Sequence, residues 1–377
     1  MNILFICNEF PPYPSGGIGI FTSELATELV KSGNTVFVVG LYPIEKRIEE
    51  EFFGIKIIRL PRKKGIIGTI KSRFLLYREL KNIIEKNKID ILETPDFNGL
   101  LAFFPKLNCK IVTRLHGSVY YFRKLTNNKG VKGYLWYLIE KSSIKKSDKI
   151  ISVSKFTSNY TKEIFNIKSD IFTLYNGVKV DVSYVPKKHY NKNKSFIFAG
   201  SLIRKKGIIE LINAWIDFSI LVPNATLDIY GKNIESLAEF IKEQAKKNNC
   251  HSINIYPPIS KNELQKKYIS ADFCIFPTKA EAFSLAPMEA MAMSKVVLYT
   301  NQTSAEELIC NNINGILITK CTHDSILDSL KLANTLTIDE YNKIALNAFN
   351  TINEKFNVRK KNIENIEFYQ RLIYNDN

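Results

Sequence analysis

Short apolar, β-rich runs alternate with stretches of helical periodicity from one end of this chain to the other. In the first half the strand-like runs are Ile3–Cys7, Thr35–Val39, Ile55–Leu60, Ile89–Glu93, Lys110–Leu115, Lys149–Val153 and Ile171–Leu174. In the second they are Phe196–Ala199, Thr226–Tyr230, Ile253–Tyr256, Phe273–Phe276, Val296–Tyr299 and Gly315–Ile318. The first helical stretch shows how local signals close an element. Phe21, Leu25 and Leu29 recur along one face, and Gly33 follows as a cap before the next strand. Strands that alternate with helices predict an α/β protein with parallel, doubly wound sheets.

Residues 180–194 break the alternation, being polar and without periodicity, and read as a linker. After them Phe196-Ile-Phe-Ala-Gly begins a second sheet much as Ile3-Leu-Phe-Ile-Cys began the first. The expected organisation is therefore one domain over 1–185, a second over 186–350, and a last helix over 351–377 that packs back towards the first. At 377 residues the chain is long enough for two such cores.

Composition narrows the class. Hydrophobic residues at 45% and charged residues at 24% describe a globular protein and not a disordered one. No apolar run approaches the roughly 20 residues of a membrane span. Met1-Asn-Ile-Leu-Phe-Ile-Cys reads as a first strand and not as a secretion signal, so a cytoplasmic protein is expected. The six cysteines include no Cys-x-x-Cys pair and read as reduced thiols.

The net charge of +16 is unevenly spread, because residues 1–190 carry 31 Lys and Arg against 17 Asp and Glu. A basic half suits an anionic partner such as a phosphorylated substrate or an anionic membrane face. No recognisable nucleic-acid motif accompanies it, so nucleic acid is not expected. Residues 69–88 read as one helix in which Leu76, Tyr77, Leu80, Ile83 and Ile84 face the core. Lys71, Arg78, Lys81 and Lys88 form a stripe beside them, and Phe74 and Leu75 fall outside the main arc. Arg62-Lys-Lys precedes this helix, and Tyr120-Tyr-Phe-Arg-Lys and Trp136-Tyr follow it. Bases mixed with aromatics suit peripheral docking on the inner leaflet, and a solvated helix face fits equally.

Candidate chemistry gathers at strand ends. Glu281 and Glu289 stand eight positions apart, one in a loop after an apolar strand and the other on the helix that follows. In an α/β fold both would reach the crevice beyond the carboxyl end of the strand, where they can accept hydrogen bonds from sugar hydroxyls. Ala199-Gly-Ser-Leu-Ile-Arg-Lys-Lys-Gly repeats the strand, small-residue turn and helix start, with Arg204, Lys205 and Lys206 supplying cations for a diphosphate. Ser15-Gly-Gly-Ile-Gly places backbone amides where a phosphate could sit, although the third glycine of the dinucleotide fingerprint is missing. His116 ends another strand, with Gly117 behind it. His189, His251 and His323 are not grouped with acids or thiols at metal spacing, so neither a metal nor a cofactor is expected.

Together these residues resemble the retaining glycosyltransferases of family 4 (glycosyl transferases group 1). The resemblance rests on Phe10-Pro-Pro-Tyr-Pro-Ser-Gly-Gly-Ile-Gly, Leu115-His-Gly, Ile151-Ser-Val-Ser-Lys, Leu174-Tyr-Asn-Gly-Val, Gly200 to Gly207, and Glu281 to Glu289 with Ala-Met-Ala behind. It implies the GT-B fold, two Rossmann-like doubly wound domains facing a central cleft, and a nucleoside-diphosphate sugar (UDP or GDP) as donor. It implies His116, Lys206 and Glu281 as catalytic residues, with Glu289 on the ribose hydroxyls and Lys206 on the diphosphate. Gly17, Ser201, Arg204, Phe283, Ser284 and Leu285 complete the donor side, and Gly16, Glu93 and Asp96 lie on the acceptor side. The implied reaction moves a hexose-type sugar to a saccharide or lipid-linked acceptor in bacterial surface glycan assembly.

The chain departs from the family pattern at four places. Ser201 stands where an Arg is usual, Ala282 and Ser284 replace two glycines, Ser294-Lys-Val-Val replaces Gly-Lys-Pro-Val, and Thr303-Ser304 replaces Gly-Gly. Altered sugar preference is the expected result at Ala282 and Ser284, and a weaker cation clamp at Ser201, for which Arg204 is the candidate substitute. A sugar-nucleotide epimerase on the same fold, or a non-catalytic sugar-nucleotide binder, would share most of these residues. A hydride-transferring dehydrogenase is disfavoured by the broken glycine fingerprint.

Overall fold

The computed structural model describes residues 1–128, 130–181 and 194–374. It divides into two compact units, one of residues 1–176 with 361–377 and the other of residues 177–360.

The first unit holds β1 (Asn2–Ile6), α1 (Gly17–Lys31), β2 (Thr35–Tyr42), β3 (Ile48–Phe52), β4 (Ile55–Pro61), α2 (Gly65–Asn87), β5 (Ile91–Pro95) and β6 (Lys110–Leu115). It continues with α3 (Val119–Leu125), α4 (Val131–Ile144), β7 (Lys149–Ser152), α5 (Lys155–Phe165) and β8 (Ile171–Thr173). The strands lie in the order β3-β4-β2-β1-β5-β6-β7-β8. All neighbours are parallel except β3 and β4, which form an antiparallel edge pair. Alternation along β1 sends Ile3 and Phe5 into one apolar layer and Leu4 and Ile6 into the other. Both faces of β1 are therefore buried, which is why Ile3–Cys7 reads as an unbroken apolar run.

The second unit holds β9 (Ser195–Ala199), a 3-10 turn over Arg204–Lys206, α6 (Ile208–Leu221), β10 (Thr226–Tyr230), α7 (Leu237–Lys247), β11 (Ile253–Tyr256) and α8 (Lys261–Ser270). Then come β12 (Phe273–Phe276), α9 (Leu285–Ala292), β13 (Val296–Thr300), α10 (Ala305–Leu308), β14 (Ile316–Ile318), α11 (His323–Thr335) and α12 (Ile338–Lys355). The sheet order is β11-β10-β9-β12-β13-β14, all parallel. Its core packs Trp215 edge-on to Phe196, with Phe218 and Phe273 around them. In both units the strand order reverses beside the first strand, between β1 and β5 and between β9 and β12. Loops leaving the carboxyl ends there open the crevice in which such sheets bind ligands.

The division of the chain differs from the sequence expectation in detail. The first boundary falls at 176/177 and not at 185, because Val178 is already paired with the second unit, its amide donating to Phe356 and its carbonyl accepting from Val358. Residues 182–193 of the expected linker lie outside the described residues. Position 350 falls inside α12, and the return to the first unit comes later, within α13 (Val358–Tyr374), from Lys361 onwards. β3 carries Glu49, Glu50 and Glu51 in a row and has no apolar signature, so it was not expected. The helix expected over 69–88 begins at Gly65, a turn earlier, and Lys88 is its left-handed cap.

Candidate active site

In the second unit the loops after β9 and β12 meet at the reversal point. Lys206 ends the turn after β9, Glu281 lies in the loop after β12, and the Lys206 ammonium is paired with the Glu281 carboxylate. Both side chains are largely but not wholly buried, 24% and 13% exposed, so a ligand can still reach them. The contact depends on Gly207, whose φ of +71° suits glycine. A Cβ on Gly207 would sit 1.8 Å from the Pro277 carbonyl oxygen, so no side chain allows the two loops to approach this closely. The Lys279 amide and the Thr278 hydroxyl donate to the Lys205 carbonyl and stitch the same two loops together. Burial disfavours ionisation of Glu281, but the Lys206 and Lys205 charges outweigh it and hold the carboxyl below its ordinary value. Burial in turn lowers Lys205.

Glu289 projects from the second turn of α9, 15% exposed, and pairs with Lys261 at the start of α8 at 3.0 Å. Ser284 is the residue before α9 and Leu285 its first residue, while Phe283 is buried against Phe356. Neither Ala282 nor Ser284 has a positive φ, so neither position demands glycine. Ser201 is half-buried, and its carbonyl accepts from the Ile203 amide. Arg204 does not reinforce Lys206. Its side chain is 72% exposed and lies 4.0 Å from Glu235, whose carboxylate also accepts from the Arg204 amide. Beside Glu281, the buried hydroxyls of Tyr299, Thr303 and Ser304 lack partners of good hydrogen-bond geometry.

In the first unit the corresponding reversal collects Gly16, Gly17, Asp96 and His116. Gly17 offers bare backbone, with open space where a Cβ would be. The α1 amino terminus, expected to present free amides to a phosphate, already receives a carboxylate, because the Gly19 amide donates to Glu9 Oε1 at 2.9 Å. A Cβ on Gly16 would meet that same carboxylate at 3.0 Å. Glu9 was not singled out in the sequence, yet it is the anion that the helix end attracts. Asp96 is buried, its Oδ1 accepting from the His116 amide at 2.8 Å and its Oδ2 left without a partner. Burial pushes its carboxyl up to about 8. Burial, with Arg114 nearby, pushes the His116 imidazole down to about 3, so the ring is neutral at physiological pH.

Glu93 has a different role from the one expected. It is 4% exposed and forms a two-pronged pair with the fully buried Arg114, at 2.7 and 3.0 Å. Tyr369 of α13 donates to the same carboxylate at 2.5 Å, and Arg114 also donates to Asn365 at 2.7 Å. Strand alternation explains the placement. Glu93 shares its face with Ile91, which packs among Phe21, Tyr369 and Leu372. Its Oε1 is engaged by Arg114 of β6, and its Oε2 by Arg114 and by Tyr369 of α13.

Two family models cover most of the chain. Glycosyltransferase Family 4 matches residues 15–182, and Glycosyl transferases group 1 matches residues 184–351. A glycosyltransferase of Methanocaldococcus jannaschii is 28% identical over 309 residues, 81% of each chain. The capsular polysaccharide biosynthesis glycosyltransferase CapM of Staphylococcus aureus is 26% identical over 238 residues, 58% of this chain and 60% of its own. Among solved structures, sucrose-phosphate synthase of Thermosynechococcus elongatus superposes with a TM-score of 0.82 at 15% identity, covering 99% of both chains. Anabaena HepE in complex with UDP-glucose superposes with a TM-score of 0.77 at 15% identity, covering 98% of this chain and 99% of its own. With both halves matched in order and both sheets doubly wound, this chain belongs to the group 1, family 4 glycosyltransferases of GT-B fold.

Proposed function

We propose that the protein is a retaining transferase that moves a hexose-type sugar from UDP or GDP to a saccharide or lipid-linked acceptor in bacterial surface glycan synthesis, working in the cytoplasm. The observation that carries this reading is the Lys206–Glu281 pair at the strand reversal of the second unit. A donor diphosphate would compete with Glu281 for the Lys206 ammonium, and Glu281 would then be free to accept from hydroxyls of the transferred sugar. Glu289 would exchange Lys261 for the ribose hydroxyls in the same way. As the nucleoside diphosphate departs, negative charge grows on its β-phosphate while the sugar becomes oxocarbenium-like, and Lys206 stabilises the leaving group. The departing phosphate takes the proton of the acceptor hydroxyl on the same face of the sugar. Glu281 therefore need not act as a nucleophile. On the first unit, the neutral His116 ring would hydrogen-bond a hydroxyl of the acceptor.

Two relatives favour the pathway class. CapM of Staphylococcus aureus acts in capsular polysaccharide biosynthesis, and a 26% identical Klebsiella pneumoniae protein lies in a cps region. UDP-glucose bound to HepE favours UDP as the carrier.

The test is release of UDP or GDP from a panel of nucleotide sugars offered with saccharide and lipid-linked acceptors. Acceptor-dependent release is expected, and Lys206→Met should reduce kcat by about a hundredfold, the usual loss when one leaving-group donor is removed. Formation of an epimerised sugar from the donor alone would replace the transferase with an epimerase. Donor binding with no conversion at all would leave only a sugar-nucleotide binder.

A further inference from the structure

Two helices of the first unit turn apolar side chains to solvent. In α4 the exposed side carries Val131, Tyr134, Leu135 and Leu138, exposed by 88%, 63%, 56% and 41%. Its buried side carries Glu140, whose carboxylate accepts from the amides of Asn98, Val119 and Tyr120. In α2 the first three turns expose Ile66, Ile67, Ile70 and Phe74, by 83%, 70%, 61% and 54%. An apolar side chain left in water costs free energy, so eight in two helices, six aliphatic and two aromatic, need an occupant for that surface.

The two helices belong to one layer. Arg73 of α2 donates to the Gly99 carbonyl at 2.8 Å, and Tyr77 stacks on Phe104. Gly99 lies against the backbone of Ile139 and Glu140 in α4, and the Phe103 amide donates to Ser142 at 3.1 Å. Phe103 adds a further ring, 72% exposed, from the turn that joins them.

Charge identifies the occupant. Residues 62–78 carry six Lys or Arg and no acid, and residues 97–139 carry six besides the buried Arg114 and no acid. Lys63, Lys64, Lys71 and Lys132 are exposed, and none of the four is held by a carboxylate among the described residues. A protein partner could supply either sign of charge, whereas a bilayer interface supplies apolar depth and an anionic surface together. No helix among the described residues is long and apolar enough to cross a membrane, so the contact is one of lying on the surface.

We infer that the first three turns of α2, the turn at Phe103 and the outer face of α4 form a docking surface for an anionic lipid bilayer. Ile66, Ile67, Ile70, Phe74, Val131 and Leu135 enter the acyl boundary while the lysines meet lipid phosphates. The surface differs from the stripe expected from sequence, being set by the first turns of α2 and by α4. It stands independently of the transferase reading.

The test is co-sedimentation of the full chain with vesicles of phosphatidylcholine alone or with about 30 mol % phosphatidylglycerol, at low and high salt. Strong binding to the anionic vesicles, weak binding to the neutral ones and loss at high salt are expected. Ile67→Ser/Ile70→Ser/Leu135→Ser should weaken partitioning by about tenfold or more. Lys63→Gln/Lys64→Gln/Lys71→Gln should do so by a similar factor with most of the salt dependence removed. Circular dichroism checks that the variants fold, and unchanged slow donor hydrolysis would separate this surface from the chemistry. Equal binding to both vesicle types, or binding untouched by the serine variant, would overturn the proposal. So would a dimer in light scattering that the serine variant dissolves, because a second copy would then be the occupant.

Discussion

Asp96 and His116 touch, yet burial drives them in opposite directions, the acid towards keeping its proton and the imidazole towards losing one. The unfolded chain ionises Asp96 near 3.8, whereas the folded protein keeps the proton to about 8. Stability contributed by this group is therefore whole below the unfolded value and declines as pH climbs through that window. His116 acts in reverse, its contribution being lost as pH falls from 6.5 towards about 3. Asp96→Asn keeps an oxygen for the His116 amide and removes the ionisation. Urea unfolding from pH 5 to 8 should show a flatter profile for this variant than for the wild type, and greater stability at the upper end. Parallel profiles would rule out the shifted acid.

At the scale of elements, the end of α9 carries a correctable strain. The Ser294 amide donates to Met291 and the Lys295 amide to Ala290, the two bonds of a Schellman cap, and Ser294 takes φ +52° at the position glycine prefers. Its hydroxyl is buried without a partner. Ser294→Gly should raise stability by about 1 kcal/mol, measured as a shift of the urea midpoint at unchanged slope. A lower midpoint would mean that the hydroxyl has a use. The same scale shows what could be read in advance. Phe273–Phe276 is a strand over those same residues because burial on both faces leaves a continuous apolar signature, and Thr226–Tyr230 and Lys110–Leu115 match as well through their β-branched and aromatic positions. β3 escaped because an exposed edge strand needs no apolar face, and the start of α2 escaped because Gly65 and Gly68 read as breakers and its isoleucines are not core. Lys206 and Glu281 were legible from their positions at strand ends. Their direct pairing was not, since it rests on the close approach at Gly207. The role of Glu93 was hidden more deeply, because its partner Tyr369 is 276 residues away.

Over the whole molecule, the first unit is discontinuous, built from the beginning and the end of the chain. Asn365, Tyr369 and Leu372 complete a core whose other members lie before residue 177. Glu93→Ala would leave Arg114 charged, buried and short of its main partner, at a cost of about 3–5 kcal/mol. Calorimetry should show that loss in the transition of the first unit, with the second unit melting unchanged; a uniform drop in both would refute the assignment. During synthesis, residues 177–360 can close their own sheet as soon as they leave the ribosome. The unit translated first must hold an unfinished Arg114 cage until α13 emerges, so the half begun earliest is the last to mature.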